Sequence, residues 1–451
     1  MTPARTRYHA RWVLPIATPP VEDGTVIVED DRIAWVGPRA AAPAGGIDDD
    51  LGDAVLMPGL VNAHTHLELT VMRGFLEELA FFDWVRVLTR ARHHVLDAAA
   101  LRDSARLGVV EGLRAGITTF ADTGDSAAPF DALRELGARG IAFREVFGPD
   151  PAQVEASLAG LRAKVDDMRA RETPLVRVGV SPHAPYSVSD ALFAAVAAYA
   201  VAEHLPVAVH IAEGEDESQL VERGRGPFAD FLRSRGLEAD VRARSPVALL
   251  ERCGVLDARP LLIHAVRVDA PDIAAMARHR CGVAHCPASN AKLAHGVAPL
   301  LDFLAAGLDV GLGSDSMASN NRMDILGEGR LASLQQRAHT RRVDAVPASL
   351  VLDLATRAGA RALGLGNAVG VLAEGFQADL AAFDLAAATG PVHDIAAAVV
   401  HAGGAPARRT VVAGRLRVRD GVVLHDDPAL GARVQRVADA LGRWRRADPI
   451  K

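Results

Sequence analysis

The sequence predicts an α/β chain: a (β/α)8 TIM barrel with a small β-sandwich domain built from both termini. Three observations predict it. Eight short apolar runs alternate with Ala/Leu/Arg-rich helical stretches through the middle of the chain, the pattern of repeated βα units on a parallel sheet. β-rich pieces flank that middle at both ends, and each alone is short of the strands needed to bury a core. Reactive side chains recur where the apolar runs stop, and the C-terminal strand ends are where such a barrel carries its active site.

Taken in order, residues 1–56 read as short strands, with a hairpin signal at 25–37 around an acidic turn. The eight apolar runs are 59–63, 117–121, 141–146, 176–181, 207–210, 261–265, 282–285 and 309–313. Helices are predicted between them, over 98–115, 151–171, 190–204, 226–235 and 270–279. A doubly wound open sheet is the rival, but no Gly-x-Gly-x-x-Gly turn follows the first run. β-rich pieces return at 378–384 and 409–416. The tail beyond Asp426, with Val434, Val437, Leu441 and Trp444, reads as an amphipathic packing helix. The expected organisation is a composite β domain (1–56 with 367–425), a catalytic barrel (57–366) and a C-terminal helix (426–451).

Composition narrows the class. The chain has 451 residues, 49% hydrophobic and 24% charged, which suits a large barrel plus an accessory unit. Aromatics are only 4%, so Ala, Val and Leu must build the core. A net charge of −6 without a basic stripe argues against nucleic-acid partners. Cys253, Cys281 and Cys286 lack CxxC spacing, so no disulfide framework is expected and the cytoplasm is the natural setting. No run approaches the roughly 18 apolar residues of a membrane span. The stretch after Arg5, Arg7 and Arg11 is too short for a signal sequence. The expected partner is a small-molecule substrate.

The first run ends in His64-Thr65-His66, the fourth in Ser181-Pro182-His183-Ala184-Pro185-Tyr186, and the fifth in His210-Ile211-Ala212-Glu213. The sixth ends in His264, the seventh in His285-Cys286-Pro287, and the eighth in Ser314-Asp315-Ser316. One histidine closing a strand is usually structural; six marked ends out of eight point to a site. On an extended segment His64 and His66 face the same way. With His210 they offer three neutral nitrogen donors, and Asp315 adds an anionic oxygen. Three or four protein ligands with room for water form a catalytic metal arrangement, in which water is acidified toward neutrality. Glu213, three residues past His210, reads as a proton shuttle, and His264 as a group that polarises or orients the attacking water. His285 and Cys286 read as strand filling.

The set Pro58-Gly59-Leu60-Val61-Asn62-Ala63-His64-Thr65-His66, His210-x-x-Glu213, the lone His264 and Gly313-Ser314-Asp315-Ser316 resembles the amidohydrolase superfamily, specifically its mononuclear-metal aminohydrolase branch. Segments near Ala355–Gly364 and Gly370–Leu380 extend the likeness over nearly the whole chain. The resemblance implies one divalent metal (Zn2+, with Fe2+ or Mn2+ as alternatives) on His64, His66, His210 and Asp315, with Glu213 and His264 as catalytic partners and Asp315 sharing that role. Binuclear members carry a lysine at the end of the fourth strand, where this chain has Ser181-Pro182-His183. A homodimer is expected from the habits of such barrels.

Substrate class rests on finer likenesses. His183-Ala184-Pro185-Tyr186 is similar to the segment that sets a histidine against the purine or ribose in nucleoside deaminases of the branch. Residues 64–70, with Glu68, the Phe81-Phe82-Asp83-Trp84 segment and Ser314-Asp315-Ser316-Met317, resemble aminofutalosine deaminases. The S-adenosylhomocysteine and methylthioadenosine deaminases are less well matched, because Trp84 is followed by Val85-Arg86-Val87 rather than an acidic segment. The expectation is metal-dependent hydrolytic deamination of an adenosine-like nucleoside, with His183, Glu68, Trp84 and Ser316 at the substrate. Deaminases of guanine-like bases and triazine or formimino hydrolases are the alternatives. Arg86, Arg90, Arg144 and Arg177 are candidate carboxylate contacts, each individually read as a surface charge.

Overall fold

The computed structural model describes residues 5–385, 391–403, 406–424 and 426–447. All eight apolar runs form strands: Leu60–Thr65, Ile117–Gly124, Arg139–Val146, Val176–Pro182, Ala208–Ile211, Leu261–His264, Gly282–His285 and Asp309–Leu312. The first four make one parallel sheet and the last four a second, each in chain order. Single parallel bridges, Val180↔Val207 and Thr65↔Asp315, join the two sheets at both edges. Gly313 makes the second junction feasible, since a Cβ there would lie 2.9 Å from both Cys286 Sγ and His64 Cβ.

These strands read as unbroken apolar runs because both faces are covered. Val61, Ala63, Ala121, Ile141, Phe143, Ala208, Ile263, Ala284 and Cys286 form one buried cluster, while their alternating neighbours such as Leu60, Phe120 and Val178 join the larger core shared with the helices. Cys286 is therefore filling, as its sequence context indicated. The predicted helices occur over Ala98–Arg114, Val154–Arg169, Asp190–Ala202, Pro227–Ser234 and Ala270–Arg278. Several start on side-chain caps that occupy otherwise orphaned backbone N–H groups: Asp97, Ser189 and the reciprocal Asp269/Asp272 box.

Both termini enter one nine-stranded sheet, and the expected sandwich takes the form of this single continuous sheet. Its centre pairs Ala54–Pro58 with Leu380–Asp384, antiparallel, and with the parallel strand Arg5–Val13. The predicted hairpin is Val21–Glu29 against Arg32–Pro38. A buried ion pair fastens this sheet to the third parallel strand: Arg139 Nε and Nη2 donate to the two oxygens of Asp379, both at 2.9 Å. The helix Leu430–Ala447 buries Leu430, Val434 and Leu441, with Trp444 stacked near His94 at 6.3 Å between centroids. Among the described residues no helix is long and apolar enough to cross a membrane.

Candidate active site

The strand ends converge on one buried cluster. His64 closes the first strand and its Nε2 lies 3.1 Å from Asp315 Oδ1. His66, two residues on and on the same side, places Nε2 3.5 Å from the same oxygen. His210, from the fifth strand, brings its Nε2 to 3.2 Å from that of His66. His210 Nδ1 faces the His183 carbonyl at 3.2 Å, which assigns the ring proton to Nδ1 and leaves a lone pair on Nε2 pointing inward.

Burial depresses the basicity of these rings. His66 falls to about 3, His210 well below its ordinary value, and His64 is lowered as well, desolvation leading in each case. Neutral imidazoles, here with the His210 Nε2 lone pair turned inward, are the protonation state a metal requires. Burial works against ionisation of Asp315, but the hydrogen bond with His64 and the surrounding imidazoles hold its carboxyl well below the usual range. Its second oxygen accepts from Ser289 Oγ (2.5 Å) and Ser319 Oγ (3.0 Å). The buried Nδ1 of His64 meets no hydrogen-bond partner among the described residues. Two imidazole nitrogens 3.2 Å apart, one of them 3.5 Å from a carboxylate oxygen, in a site this buried, form a donor set that fits a divalent cation.

Beside the cluster stand the two groups suited to proton transfer. His264 Nδ1 donates to Asn290 Oδ1 (2.9 Å), so Nε2 turns toward Glu213 Oε1 (3.6 Å) and Asp315 Oδ2 (4.0 Å). Burial favours a neutral Glu213, yet His264 and then His295 outweigh it and lower its pKa. The loop carrying Glu213 is fixed by Glu217, whose carboxylate accepts from the Ala212 and Glu213 amides at 2.8 and 2.9 Å. Left-handed backbone marks the same places: Ala212 (φ 50°), His264 (72°), Ala265 (45°) and Asp315 (56°). Such conformations cost about 1–3 kcal/mol each and gather at functional sites.

The expected substrate contacts divide. His183 lies within the site, its ring centroid 4.9 Å from that of His210, and its Nδ1 is 2.7 Å from Ser187 Oγ. Glu68 is instead engaged by Arg92 Nη2 (2.8 Å) and by Ser126. Trp84 packs on Phe81 at 6.4 Å between centroids, and Phe81 in turn meets His295 and Tyr186 rather than the histidine cluster itself. Ser316 caps the short helix Met317–Asn320 through the Ala318 amide (3.1 Å). Arg177 is exposed and Arg86 pairs with Asp83, in keeping with surface charges. Arg90 lies over the Trp444 ring. Arg144 is not on the surface: it is 5% exposed, with Nε and Nη1 lacking hydrogen-bond partners among the described residues. Sequence reasoning missed His295, Glu217, Asn290 and the Ser289/Ser319 pair, because none of them closes an apolar run.

Known proteins share this architecture. The Amidohydrolase family pattern matches residues 55–417. The chain is 33% identical over 422 residues to a Moorella thermoacetica protein named 5-methylthioadenosine/S-adenosylhomocysteine deaminase, covering 91% of this chain and 93% of that one. A protein of the same name from Nitratidesulfovibrio vulgaris is 35% identical over 448 residues, covering 94% and 95%. Neither bears the aminofutalosine name. Among solved structures, a zinc-bound adenosine deaminase from Xanthomonas campestris superposes with a TM-score of 0.87 at 29% identity, covering 98% of this chain and 99% of that one. A zinc complex of atrazine chlorohydrolase from Arthrobacter aurescens gives 0.82 at 26%, covering 97% and 99%. With a pattern spanning most of its length and a histidine-aspartate cluster at the strand ends, the chain belongs to the amidohydrolase family.

Proposed function

We propose that the chain holds one divalent metal ion, zinc first, on His64, His66, His210 and Asp315, and deaminates an adenosine-like nucleoside by hydrolysis. Family membership and deaminase-named relatives make it a hydrolase of non-peptide carbon–nitrogen bonds. A metal in such a site lowers the pKa of water so that a nucleophile is available near neutrality. The residues do the rest. Glu213 accepts a proton from the attacking water and delivers it to the ring nitrogen next to the amino-bearing carbon. His264, held by Asn290, orients the water opposite Asp315. As the carbon–nitrogen bond breaks, a proton passes through Glu213 or Asp315 to the amine, which leaves as ammonia while the water oxygen remains on the ring. His183 contacts the base or sugar.

The observation that carries this reading is the approach of His64 and His66 to Asp315 Oδ1, at 3.1 and 3.5 Å, with His210 Nε2 3.2 Å from His66 Nε2 and the Glu213–His264 pair beside them. The same reading takes the two bridged sheets as a closed (β/α)8 barrel (57–366) beside a composite β domain drawn from the described residues of 5–56 and 367–424 and a C-terminal helix, Leu430–Ala447, in a cytoplasmic protein that forms a homodimer. The finer substrate choice is an aminofutalosine-type or thioether-bearing adenosine. Zinc-loaded protein should release ammonia from such nucleosides with the ultraviolet change of an adenine-to-hypoxanthine conversion. Folded, metal-loaded protein that is silent on every adenosine analogue contradicts it. The atrazine chlorohydrolase likeness favours a second reading, hydrolysis of a triazine, which chloride or amine release from triazines would reveal.

A further inference from the structure

Glu213 lies between two imidazoles, and only one of them closes a strand. His264 approaches its Oε1 to 3.6 Å, while His295 Nε2, buried and without a hydrogen-bond partner of good angle among the described residues, lies 3.3 Å from the same oxygen. His295 stands in the loop after the helix Pro287–Lys292. Its seat is shaped around the ring. Phe81 meets it edge-on with centroids 4.7 Å apart. On another side is Gly214, where a Cβ would come within 2.7 Å of His295 Nδ1 and 2.9 Å of Cε1. Gly214 has ordinary extended backbone (φ −140°, ψ 172°), so its own conformation does not require glycine; the neighbouring ring does. His295 also lines a cavity of about 520 Å³ with Glu222, Arg267 and Asp269. Besides the two imidazoles, the charged and titratable groups acting on Glu213 are Asp315, His64, His183, Tyr186 and Cys286, with Glu217 engaged on its loop amides.

We propose that His295 is a positioning residue for Glu213: a small turn of its buried, otherwise unpartnered Nε2–H toward Oε1, 3.3 Å away, makes the hydrogen bond that fixes the rotamer in which the carboxylate reaches water and substrate. A buried carboxylate with one oxygen anchored keeps the other aimed at the reacting atoms, and small losses of such aim are costly in rate. The activity arm of the test rests on the deaminase reading. His295→Leu removes the donor at similar bulk, and His295→Gln retains an N–H at nearly the same reach. Gly214→Ala displaces the ring without altering either partner. In zinc-loaded enzyme, His295→Leu and Gly214→Ala should lower kcat by about 10–100-fold with KM nearly unchanged, and His295→Gln should recover most of it. Wild-type kcat in His295→Leu, or His295→Gln no better than His295→Leu, overturns the proposal.

A second arm needs no substrate. In ¹⁵N-histidine-labelled, zinc-loaded protein, the Nε2–H resonance that disappears in His295→Gln should shift in Glu213→Gln. A resonance unmoved by Glu213→Gln overturns the contact. If that shift appears while wild-type protein deaminates nothing, the deaminase reading fails and the His295–Glu213 contact stands.

Discussion

Two buried charged clusters in this molecule are built on opposite plans. At the junction of the terminal sheet with the third parallel strand, Asp379 is satisfied by protein: Arg139 reaches both its oxygens at 2.9 Å and the Ala413 amide adds a third bond at 2.8 Å. At the strand ends, Asp315 meets imidazoles whose nitrogens crowd together, His66 and His210 Nε2 at 3.2 Å, with a buried His64 Nδ1 lacking a partner among the described residues. A bidentate arginine pair completes itself. A convergence of lone pairs calls for something further. The first arrangement serves folding; the second is the one the proposed chemistry needs.

The sharpest way to break the contrast is to delete one carboxylate from each. Asp315→Ala should abolish stoichiometric metal binding and reduce ammonia release to background, with little change in chemical denaturation of the metal-free chain. Asp379→Ala strands a buried guanidinium and should cost about 3–5 kcal/mol of stability, read by urea unfolding, while folded protein keeps its metal. A milder probe removes the hydroxyls behind Asp315. Ser289→Ala with Ser319→Ala should weaken metal affinity or activity by about 10–100-fold, as loss of outer partners generally does, measured by competition with a chelator.

The smallest effect is a pH dependence. Burial lowers both His183 and His285 to about 4 from an ordinary 6.5. The fold therefore holds them neutral, whereas the unfolded chain takes up protons below 6.5. Their contribution is complete above pH 6.5 and is lost as pH falls toward 4. His285 is the cleaner test, since neither ring nitrogen has a hydrogen-bond partner among the described residues. His285→Gln should lose less stability than wild type between pH 7 and 5, in urea titrations of the zinc-loaded proteins. An equal loss in both contradicts the assignment.

The strands were legible because burial on both faces leaves unbroken apolar runs, and all eight recur within a few residues of where the sequence puts them. The gathering of the histidines and Asp315 was legible for a related reason: where an apolar run stops in histidine or aspartate, period-two alternation fixes which way the side chain faces. What the sequence hid depends on loops. His295 follows a short helix and reaches Glu213 only because Gly214 lacks a Cβ. Glu68, adjacent to the histidine pair in sequence, turns to Arg92 and Ser126. Arg144, read as a surface charge, lies inside the third apolar run (141–146) and is buried with it, a signal its place in that run already carried.

Metal content and ammonia release, measured together on wild type and Glu213→Gln, test the central claim most directly. One divalent ion per chain in both proteins is the expected result, with ammonia released in proportion to nucleoside consumed by wild type. In Glu213→Gln the release should fall by about 10²–10⁴-fold, the usual share of a positioned general acid–base group. A folded wild-type chain that takes up no ion, or a Glu213→Gln variant that deaminates at the wild-type rate, would contradict the account.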